Sequence, residues 1–449
     1  MKYVLSMAAI FAVFGTVWGA EFNVRESGAL GDGAAKDTEA IQKAIDAASE
    51  AGGGTVLFPP GVYLTGSIYL KSNVDFYVGP GATILASPNK EDYNAPDVCP
   101  QNSTFGPESS FGAHLILCIE QQNVTVRGPG KIDGNSPAFL IDPNGNPYPG
   151  QDRIPWRPSQ MLYCVESTDL RISDITLERA PYWSCFLHGC EQVAIRGANI
   201  STIRTPHTYN GDGIDIDCCR FVTVSDCRID TADDSITLRG SCSRLKNPKP
   251  CEYIAVANCV LSTPCNALRI GVGQGIVRYA VFSNLVIHDT RTAFNFFSNW
   301  SVTSPRGVDI SDIRIENCTL DCEDLTRIQY GFGSEALVRD LYFQGISGHT
   351  RRTSLLIGKQ DRALENIRFS DIDLTLAGTN EFLKAVHVSG LALRDVRIKT
   401  VSADSAAETG AKPIVYLGNA ENLTLPDGAF ETKPLSEEEI KQYDKDGRY

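Results

Sequence analysis

Positive charge is scarce in this chain of 449 residues, which holds 41 Lys and Arg against 54 Asp and Glu, a formal net charge of −13. A protein that binds nucleic acid needs a dense basic surface to neutralise phosphate groups. The acidic balance therefore excludes nucleic acid as a partner. Charged residues make up 21% and apolar residues 42% of the chain, which is ordinary for a folded protein and excludes wholesale disorder.

Long apolar runs are also scarce. The longest, Val4–Val17, is shorter than the roughly 20 residues that a membrane-spanning helix needs. Lys2 precedes this run and the small residues Gly19 and Ala20 follow it, which is typical of a secretory signal peptide rather than of an N-terminal anchor. We therefore expect residues 1–20 to be cleaved, no membrane span in the mature chain, and export to the periplasm or the exterior.

The chain lacks the cysteine and histidine spacing of a zinc site, since no CxxC is followed by a second CxxC or an HxxxH. We expect no metal and no other cofactor. All 14 cysteines lie between Cys99 and Cys322, and an oxidising compartment permits disulfides such as Cys185–Cys190 or Cys242–Cys251. The alternative is a stack of small buried residues at one place of a repeated phrase. The cysteines at that place include Cys227, Cys259 and Cys318.

One phrase recurs along the chain: a turn residue, alternating apolar positions, a polar break and a second apolar alternation. The copies start at Asn123, Asp169, Gln192, Phe221, Tyr253, Tyr279, Asp312, Asp340, Asn366 and Asp395. They lie 23 to 33 residues apart, except for one step of 46 residues, which we interpret as two coils with one degenerate turn. This period indicates a β-solenoid, because a sandwich turns every 8 to 12 residues and a propeller repeats at about 40 to 50.

We predict an all-β, single-domain, right-handed parallel β-helix over residues 21–425. Its open N-terminal end needs a cap, and Asp37, followed by apolar residues at helical spacing and by Gly52–Gly54, predicts one amphipathic capping helix. The apolar positions of this helix are Ile41, Ala44, Ile45 and Ala48. Residues 426–449 lose the repeat and are expected to form a C-terminal tail that is either packed or frayed.

Two acidic clusters lie about one coil apart. Asp212 stands in NGDGIDID, and Asp233 and Asp234 stand in TADDSITLRG, 21 residues further on. Because coils of a β-helix stack about 4.8 Å apart, these carboxylates should share one surface and repel, so that one of them stays protonated. Glycoside hydrolysis needs this pairing of a carboxylic acid and a carboxylate. The alternative is that the aspartates only solvate turns.

At these motifs the chain resembles the polygalacturonase family, glycoside hydrolase family 28. The resemblance also includes the opening segment from Glu21 and the phrase APYWSCFLHGC, and NGDGIDID and TADD look like the family's Asn-x-Asp and Gly-Asp-Asp, with Ala232 in place of Gly. It implies Asp233 as general acid and Asp212 and Asp234 as the residues that position water for an inverting displacement. The expected enzyme is an exported, monomeric hydrolase of a pectic or related cell-wall polysaccharide.

Two departures from the family concern the substrate. Asn266 occupies the place of the family's His, and the family's Arg-x-Lys falls on Phe294–Phe297, where both cations are missing. Arg269 or Arg239 could supply a substitute cation for a uronate. Rhamnogalacturonan-type members are similar in lacking the His, so a neutral or differently charged pectic linkage stays as open as polygalacturonate.

Further side chains are candidates for binding sugar. Trp183 and Trp300 could stack on a pyranose ring, and Asn210 and His207 lie close to Asp212 in sequence. Two other functions stay open. One is a polysaccharide lyase on the same fold, with the aspartates binding Ca²⁺ and Arg239 or Arg269 as base. The other is a non-catalytic β-helix that binds glycans.

Overall fold

A computed structural model describes residues 19–102, 112–204, 210–300, 306–333, 335–404 and 407–443. Most of the predicted signal peptide, residues 1–18, lies outside these ranges, as does the candidate residue His207. In the described ranges no helix is both long enough and apolar enough to cross a membrane.

The chain forms 34 strands and three short α-helices in the described ranges. The first strands are β1 (Glu21–Asn23), β2 (Asp32–Lys36), β3 (Gly54–Phe58), β4 (Gly61–Thr65), β5 (Ile68–Tyr69), β6 (Val74–Val78), β7 (Ala82–Ala86), β8 (Ile116–Ile119), β9 (Gln122–Arg127), β10 (Lys131–Asp133), β11 (Leu162–Val165) and β12 (Thr168–Ser173). The next are β13 (Thr176–Glu178), β14 (Cys185–His188), β15 (Glu191–Arg196), β16 (Asn199–Ser201), β17 (Ile214–Asp217), β18 (Arg220–Ser225), β19 (Arg228–Asp230), β20 (Ile236–Gly240), β21 (Cys251–Ala257), β22 (Val260–Ser262), β23 (Asn266–Gly273) and β24 (Ile276–Ser283). The last are β25 (Val286–Asn299), β26 (Asp309–Gly331), β27 (Arg339–Thr350), β28 (Ser354–Ile357), β29 (Leu364–Ala377), β30 (Glu381–Val386), β31 (Val388–Ser389), β32 (Ala392–Val401), β33 (Ile414–Gly418) and β34 (Glu431–Pro434). The helices are α1 (Thr38–Glu50), α2 (Pro137–Leu140) and α3 (Glu437–Tyr443).

These strands pair in parallel and stack into three sheets, which confirms the predicted right-handed parallel β-helix. The first sheet runs from β1 through β3, β6 and β9 to β24. The second runs from β2 through β4, β7 and β10 to β22. The third sheet contains β5, β8, β11, β14, β17, β20 and β23, continues through the C-terminal parts of β25 and β26, and ends at β34.

The repeat follows from the backbone conformation at the corners. Every repeat start named above has φ between 50° and 61°, the left-handed region that Asn and Asp tolerate better than other side chains. Three consecutive starts are aromatic instead: Phe221, Tyr253 and Tyr279. Their rings stack on the surface with centroids 5.2 and 5.6 Å apart, so contacts between coils offset part of the strain.

The 46-residue step is one coil, and the prediction of two coils was wrong. Leu170 lies directly opposite Val124 in neighbouring strands of the first sheet. The additional residues form an excursion between β10 and β11 that contains α2. The inserted residues do not disturb the apolar alternation before and after them. The longer spacing was therefore interpreted as an additional coil with a degenerate turn.

The predicted capping helix is present as α1, and its four predicted apolar residues are fully buried against the first coil. Gly52 and Gly53 end it with φ of 89° and 135°, and the Gly53 N–H binds the Ala48 carbonyl at 2.9 Å. Asp37 precedes the helix, but its side chain does not cap it. The Asp37 carboxylate instead accepts hydrogen bonds from the N–H groups of Leu30 and Gly31 at 2.6 and 3.0 Å.

The described part of the C-terminal tail is packed. Strand β34 adds to β33 in the third sheet. Leu435 joins Ile357 and Val386 in an apolar cluster, against which Ile440 of α3 packs. The sequence did not predict this last strand of the β-helix, because Glu431–Pro434 has no apolar alternation.

All 14 cysteines fall in the described ranges and are free thiols. The disulfides considered from the sequence, Cys185–Cys190 and Cys242–Cys251, do not form. Cys227, Cys259 and Cys318 are buried in the core, and Val260 N–H binds the Cys227 carbonyl of the preceding coil at 3.0 Å. These three cysteines therefore belong to a stack of buried residues, which was the alternative to disulfides.

Candidate active site

The acidic residues lie where strands of the third sheet begin. Ile214 lies opposite Ile236, and Ile236 opposite Leu268, in β17, β20 and β23. Asp212, Asp234 and Asn266 each stand two residues earlier and therefore stack on three consecutive coils. Backbone hydrogen bonds hold this alignment, since Gly213 N–H binds the Asp234 carbonyl at 2.9 Å. The fold thus brings Asp212 beside Asp233 and Asp234, the three residues that the sequence analysis assigned to catalysis.

Asp212 is buried, and one of its oxygens has no hydrogen-bond partner among the described residues. Its side chain is 5% exposed, and the oxygen without a described partner is Oδ1. Burial, and then the neighbouring carboxylates, of which Asp215 and Asp233 act most strongly, raise the pKa of Asp212 well above that of an ordinary aspartate. Asp212 therefore favours its neutral form when the site is empty.

Asp234 has the opposite environment. It is 3% exposed, and its Oδ1 accepts a hydrogen bond from Asn266 Nδ2 at 2.5 Å. Its Oδ2 pairs with the Arg269 guanidinium at 3.3 Å. A cation and a hydrogen-bond donor both stabilise the ionised carboxylate. The site therefore combines a carboxyl that favours its neutral form with one held by partners that favour its charge.

Asp233 is partly exposed, and its backbone is fixed by two buried threonines. Thr231 Oγ1 donates to the Asp233 carbonyl at 2.8 Å, and Thr263 Oγ1, on the next coil, donates to the same oxygen. Thr263 Oγ1 also accepts the Cys265 N–H at 3.0 Å. The peptide that carries the proposed acid is thus tied to the following coil.

A cluster of three ligand atoms could hold a metal ion by size alone. One ligand atom from each of Asp233, Asp234 and Cys265 lies within 4.8 Å of the other two. Two cations already contact this cluster, because Arg269 Nη1 pairs with Asp234 and Arg291 Nη2 lies 3.1 Å from Cys265 Sγ. Burial, followed by the charges of Asp234 and Asp233, raises the thiol pKa of Cys265, whereas a metal needs the thiolate. Because Cys265 favours its protonated thiol, this cluster is a poor site for a metal ion.

Arg269 lies between Asp234 and Trp300. Its guanidinium lies 4.1 Å from the centroid of the Trp300 ring, a cation–π geometry. The side chain is 5% exposed, and within the described ranges Nε and Nη2 have no hydrogen-bond partner. Buried guanidinium nitrogens without partners are costly, so this site is prepared for a ligand that accepts hydrogen bonds. The predicted role of Arg269 in substrate binding stays a prediction.

Arg239 is committed to contacts inside the protein. It is 2% exposed, and its guanidinium lies 3.4 Å from Asp215 Oδ1 and 3.5 Å from Asp217 Oδ2. The Arg239 guanidinium carbon also lies 4.5 Å from the centroid of the Trp183 ring, and Trp183 is itself 1% exposed. Asn210, which has φ of 56°, occupies the turn just before Asp212. Substrate contact by these three candidates stays a prediction.

Polar side chains continue along the third sheet beyond the acids. Thr237, Arg269 and Asn295 lie opposite one another on consecutive strands. Thr237 Oγ1 and Asn295 Oδ1 are buried and have no hydrogen-bond partner in the part of the chain that the structure describes, while Asn295 Nδ2 donates to Asn266 Oδ1 at 2.9 Å. This row is a polar surface of the kind that a sugar with many hydroxyl groups requires.

The sequence analysis missed three residues around Asp233: Thr263, Cys265 and Arg291. Counting coils could have found two of them. Asn266 lies opposite Thr292, so Cys265 and Arg291 stand one residue before these on consecutive coils, in line with Asp233. The signal that could have found Cys265 and Arg291 is their spacing of one and two coils from Asp233. It is not a sequence motif.

Comparison with known proteins places these observations in a family. Residues 21–128 match the profile "Rhamnogalacturonase A/epimerase, pectate lyase-like", and residues 101–244 match the profile "Glycosyl hydrolases family 28". The second segment contains all three aspartates of the site.

Two curated relatives carry related descriptions. A probable polygalacturonase of Vitis vinifera is 25% identical over 333 residues, which are 72% of this chain and 60% of the relative. An exo-poly-alpha-D-galacturonosidase of Dickeya chrysanthemi is 26% identical over 304 residues, 59% of this chain and 50% of the relative. The chain thus spans between half and two thirds of the length of these relatives.

A solved structure supports the fold. The hyperthermoactive exopolygalacturonase of Thermotoga maritima superimposes with a TM-score of 0.67 at 23% identity, covering 84% of this chain and 91% of that one.

Proposed function

Because this chain is a member of glycosyl hydrolases family 28, we propose that it hydrolyses glycosidic bonds of a pectic polysaccharide by a single inverting displacement. The observation that carries this proposal is the stacking of Asp212 beside Asp233 and Asp234 of the next coil, with Asp212 and Asp234 in opposite electrostatic environments. Hydrolysis with inversion needs one carboxylic acid to protonate the leaving oxygen and one carboxylate to activate water.

The contacts support a division of roles. Asp234 is the base, because Arg269 and the Asn266 amide favour its anion. Asp233 is the general acid, since its side chain is partly exposed, whereas Asp212 and Asp234 are buried. Asp212 holds a proton in the empty site and helps to position the water with Asp234. Its proton also reduces the repulsion that three ionised carboxylates would suffer.

The charge of the site supports an acidic sugar in the substrate. Next to Asp234, Arg269 offers two nitrogen donors that have no partner among the described residues, and a guanidinium binds a carboxylate through two parallel hydrogen bonds. The relatives named as a polygalacturonase and a galacturonosidase fit the same substrate class. We therefore favour a galacturonate-containing pectic chain over a neutral linkage, with Arg269 in the place of the missing Arg-x-Lys.

Export remains part of the proposal, supported by the sequence pattern of residues 1–20. A polymeric cell-wall substrate requires an enzyme outside the cytoplasm. We also propose that the enzyme acts as a monomer.

The lyase alternative has less physical support. A lyase needs an arginine that gives up its proton, yet Arg239 lies against two carboxylates and Arg269 against one. Neighbouring negative charge favours the protonated guanidinium. A non-catalytic β-helix has no need to place Asp212 and Asp234 in opposite electrostatic environments.

The test is hydrolysis of polygalacturonate, rhamnogalacturonan and xylogalacturonan by the mature protein and by its Asp233→Asn variant. We expect release of reducing ends from at least one polymer, and a loss of about 10²- to 10⁴-fold in the variant with little change in thermal unfolding. Asp152→Asn, an exposed aspartate far from the site in sequence, is the control. Full hydrolysis by Asp233→Asn would reject the proposal, and an unsaturated, ultraviolet-absorbing product would favour the lyase.

A further inference from the structure

A cavity adjoins the site on its C-terminal side. It has a volume of about 390 Å³ and is lined by Pro264, Thr290, Arg291, Asp321 and Arg351, among others. This volume lies in the range of small-ligand pockets. Pro264 immediately precedes Cys265, so the cavity begins one coil beyond the proposed acid.

The cavity is in line with Asp233 along the axis of the β-helix. Asn266 lies opposite Thr292, and Thr292 opposite Asp324. Cys265, Arg291 and Glu323 each stand one residue earlier and therefore follow Asp233 on successive coils. With coils about 4.8 Å apart, Arg291 lies about two coil spacings beyond the acid. A polysaccharide lying across the coils would place its next sugar units over this cavity.

Arg291 is the charged group of the cavity that has no ionic partner among the described residues. Asp321 pairs with Arg351 at 2.6 Å, and Asp289 pairs with His288 at 2.8 Å. Glu323 pairs with Arg352 at 3.3 Å. Arg291 is exposed, and its guanidinium makes one hydrogen bond in the described structure, to Cys265 Sγ at 3.1 Å. Its charge is therefore available to a ligand, while Asp321 and Glu323 each pair with another arginine.

We propose that this cavity is a subsite for the leaving-group side of the substrate and that Arg291 binds a carboxylate of the sugar held there. The inference rests on the proposed function, because Asp233 protonates the leaving oxygen and the cavity lies beyond Asp233, away from Asp212. Arginine binds carboxylates in a planar, two-point geometry. The paired acids of the lining are acceptors for sugar hydroxyl groups.

The experiment measures binding and catalysis separately. Calorimetry compares trigalacturonate and its methyl ester on the inactive Asp233→Asn variant, with and without Arg291→Gln. We expect Arg291→Gln to weaken trigalacturonate binding about 10-fold or more and to leave the ester unchanged. In the active protein the same substitution should raise KM for trigalacturonate with kcat nearly constant. Arg314→Gln, which removes an exposed arginine of β26 that packs on Tyr342 of β27, is the matched control.

Several outcomes would overturn the inference. Equal affinity for trigalacturonate with and without Arg291 would reject it even if hydrolysis is established. A change in kcat and its pH profile with KM unchanged would mean that Arg291 acts through Cys265 on Asp233, and would reject the subsite as well. Equal weakening for the acid and the ester would reject recognition of the carboxylate. Failure of the proposed function itself would show separately, as the absence of hydrolysis by the wild-type protein.

Discussion

Asn266 donates a hydrogen bond from Nδ2 to Oδ1 of Asp234 across one coil, at 2.5 Å. The amide stands where the family resemblance places a histidine. A carboxamide does not titrate, so it donates to Asp234 at every pH. Asn295 fixes the orientation of this amide by donating to Asn266 Oδ1 at 2.9 Å. The proposed base is therefore held by two neutral amides on the next two coils, in addition to Arg269.

This relationship predicts the effect of Asn266→Asp. The new carboxylate would lie against Asp234, and the two like charges would repel each other. Since this variant loses the donor to the proposed base and gains a repelling charge beside it, kcat at neutral pH should fall about 10-fold or more. Asn266→Gln, which keeps the amide, is the control. An unchanged kcat in Asn266→Asp would contradict the proposed role of Asp234 as base.

Asp212 should lower stability at neutral pH. Its pKa is raised in the folded protein, mainly by burial, so the folded state retains a proton that the unfolded chain has lost. Stability from this group is therefore complete below about pH 4 and declines as pH rises toward the folded pKa. Asp212→Asn should raise Tm at pH 7, and the gain should vanish near pH 3.5.

Thermal unfolding at both pH values, with Asp152→Asn as the exposed control, tests this expectation. A loss of stability in Asp212→Asn at pH 7 would show that the carboxyl is stabilised by partners rather than destabilised by burial.

The sequence predicted the fold well because its signals are local and repeated. The first residue of each repeat has a positive φ, and Asn and Asp at many of these corners, with apolar alternation between them, define the coil. Asp212 and Asp234 were found because the coil length places them together. Arg291 was missed since its importance depends on register with Asp233 and on the pairing of its neighbours. The 46-residue coil was misread because its excursion has no pattern of its own.

The thiols should differ in reactivity. A hydrogen bond with Cys218 lowers the pKa of the half-buried Cys242 to about 7, whereas burial raises that of Cys265. Since the thiolate is the nucleophile, brief alkylation at pH 7 should label Cys242 first, as read by peptide mass spectrometry. After unfolding, all 14 cysteines should react without prior reduction. Faster labelling of Cys265, or a requirement for reductant, would contradict this account.

The aromatic stack of the core should carry more stability than the one on the surface. Phe343 is 1% exposed and stacks on Phe369 with ring centroids 4.6 Å apart. Phe343→Ala should cost about 3–5 kcal/mol of unfolding free energy, because it leaves a cavity in the core. Phe221→Ala, at a ring that is 50% exposed, should cost less than about 1 kcal/mol. Similar losses in denaturant unfolding would mean that the surface stack is structural.

The proposed mechanism is tested most directly by the anomeric configuration of the first product. Proton NMR during hydrolysis of a defined pectic oligosaccharide should show the inverted anomer first, followed by mutarotation, because in the proposed mechanism Asp234 and Asp212 hold a water and do not attack the sugar. Asp233→Asn should show no product over the same period. A first product with retained configuration would contradict the assignment of the three aspartates.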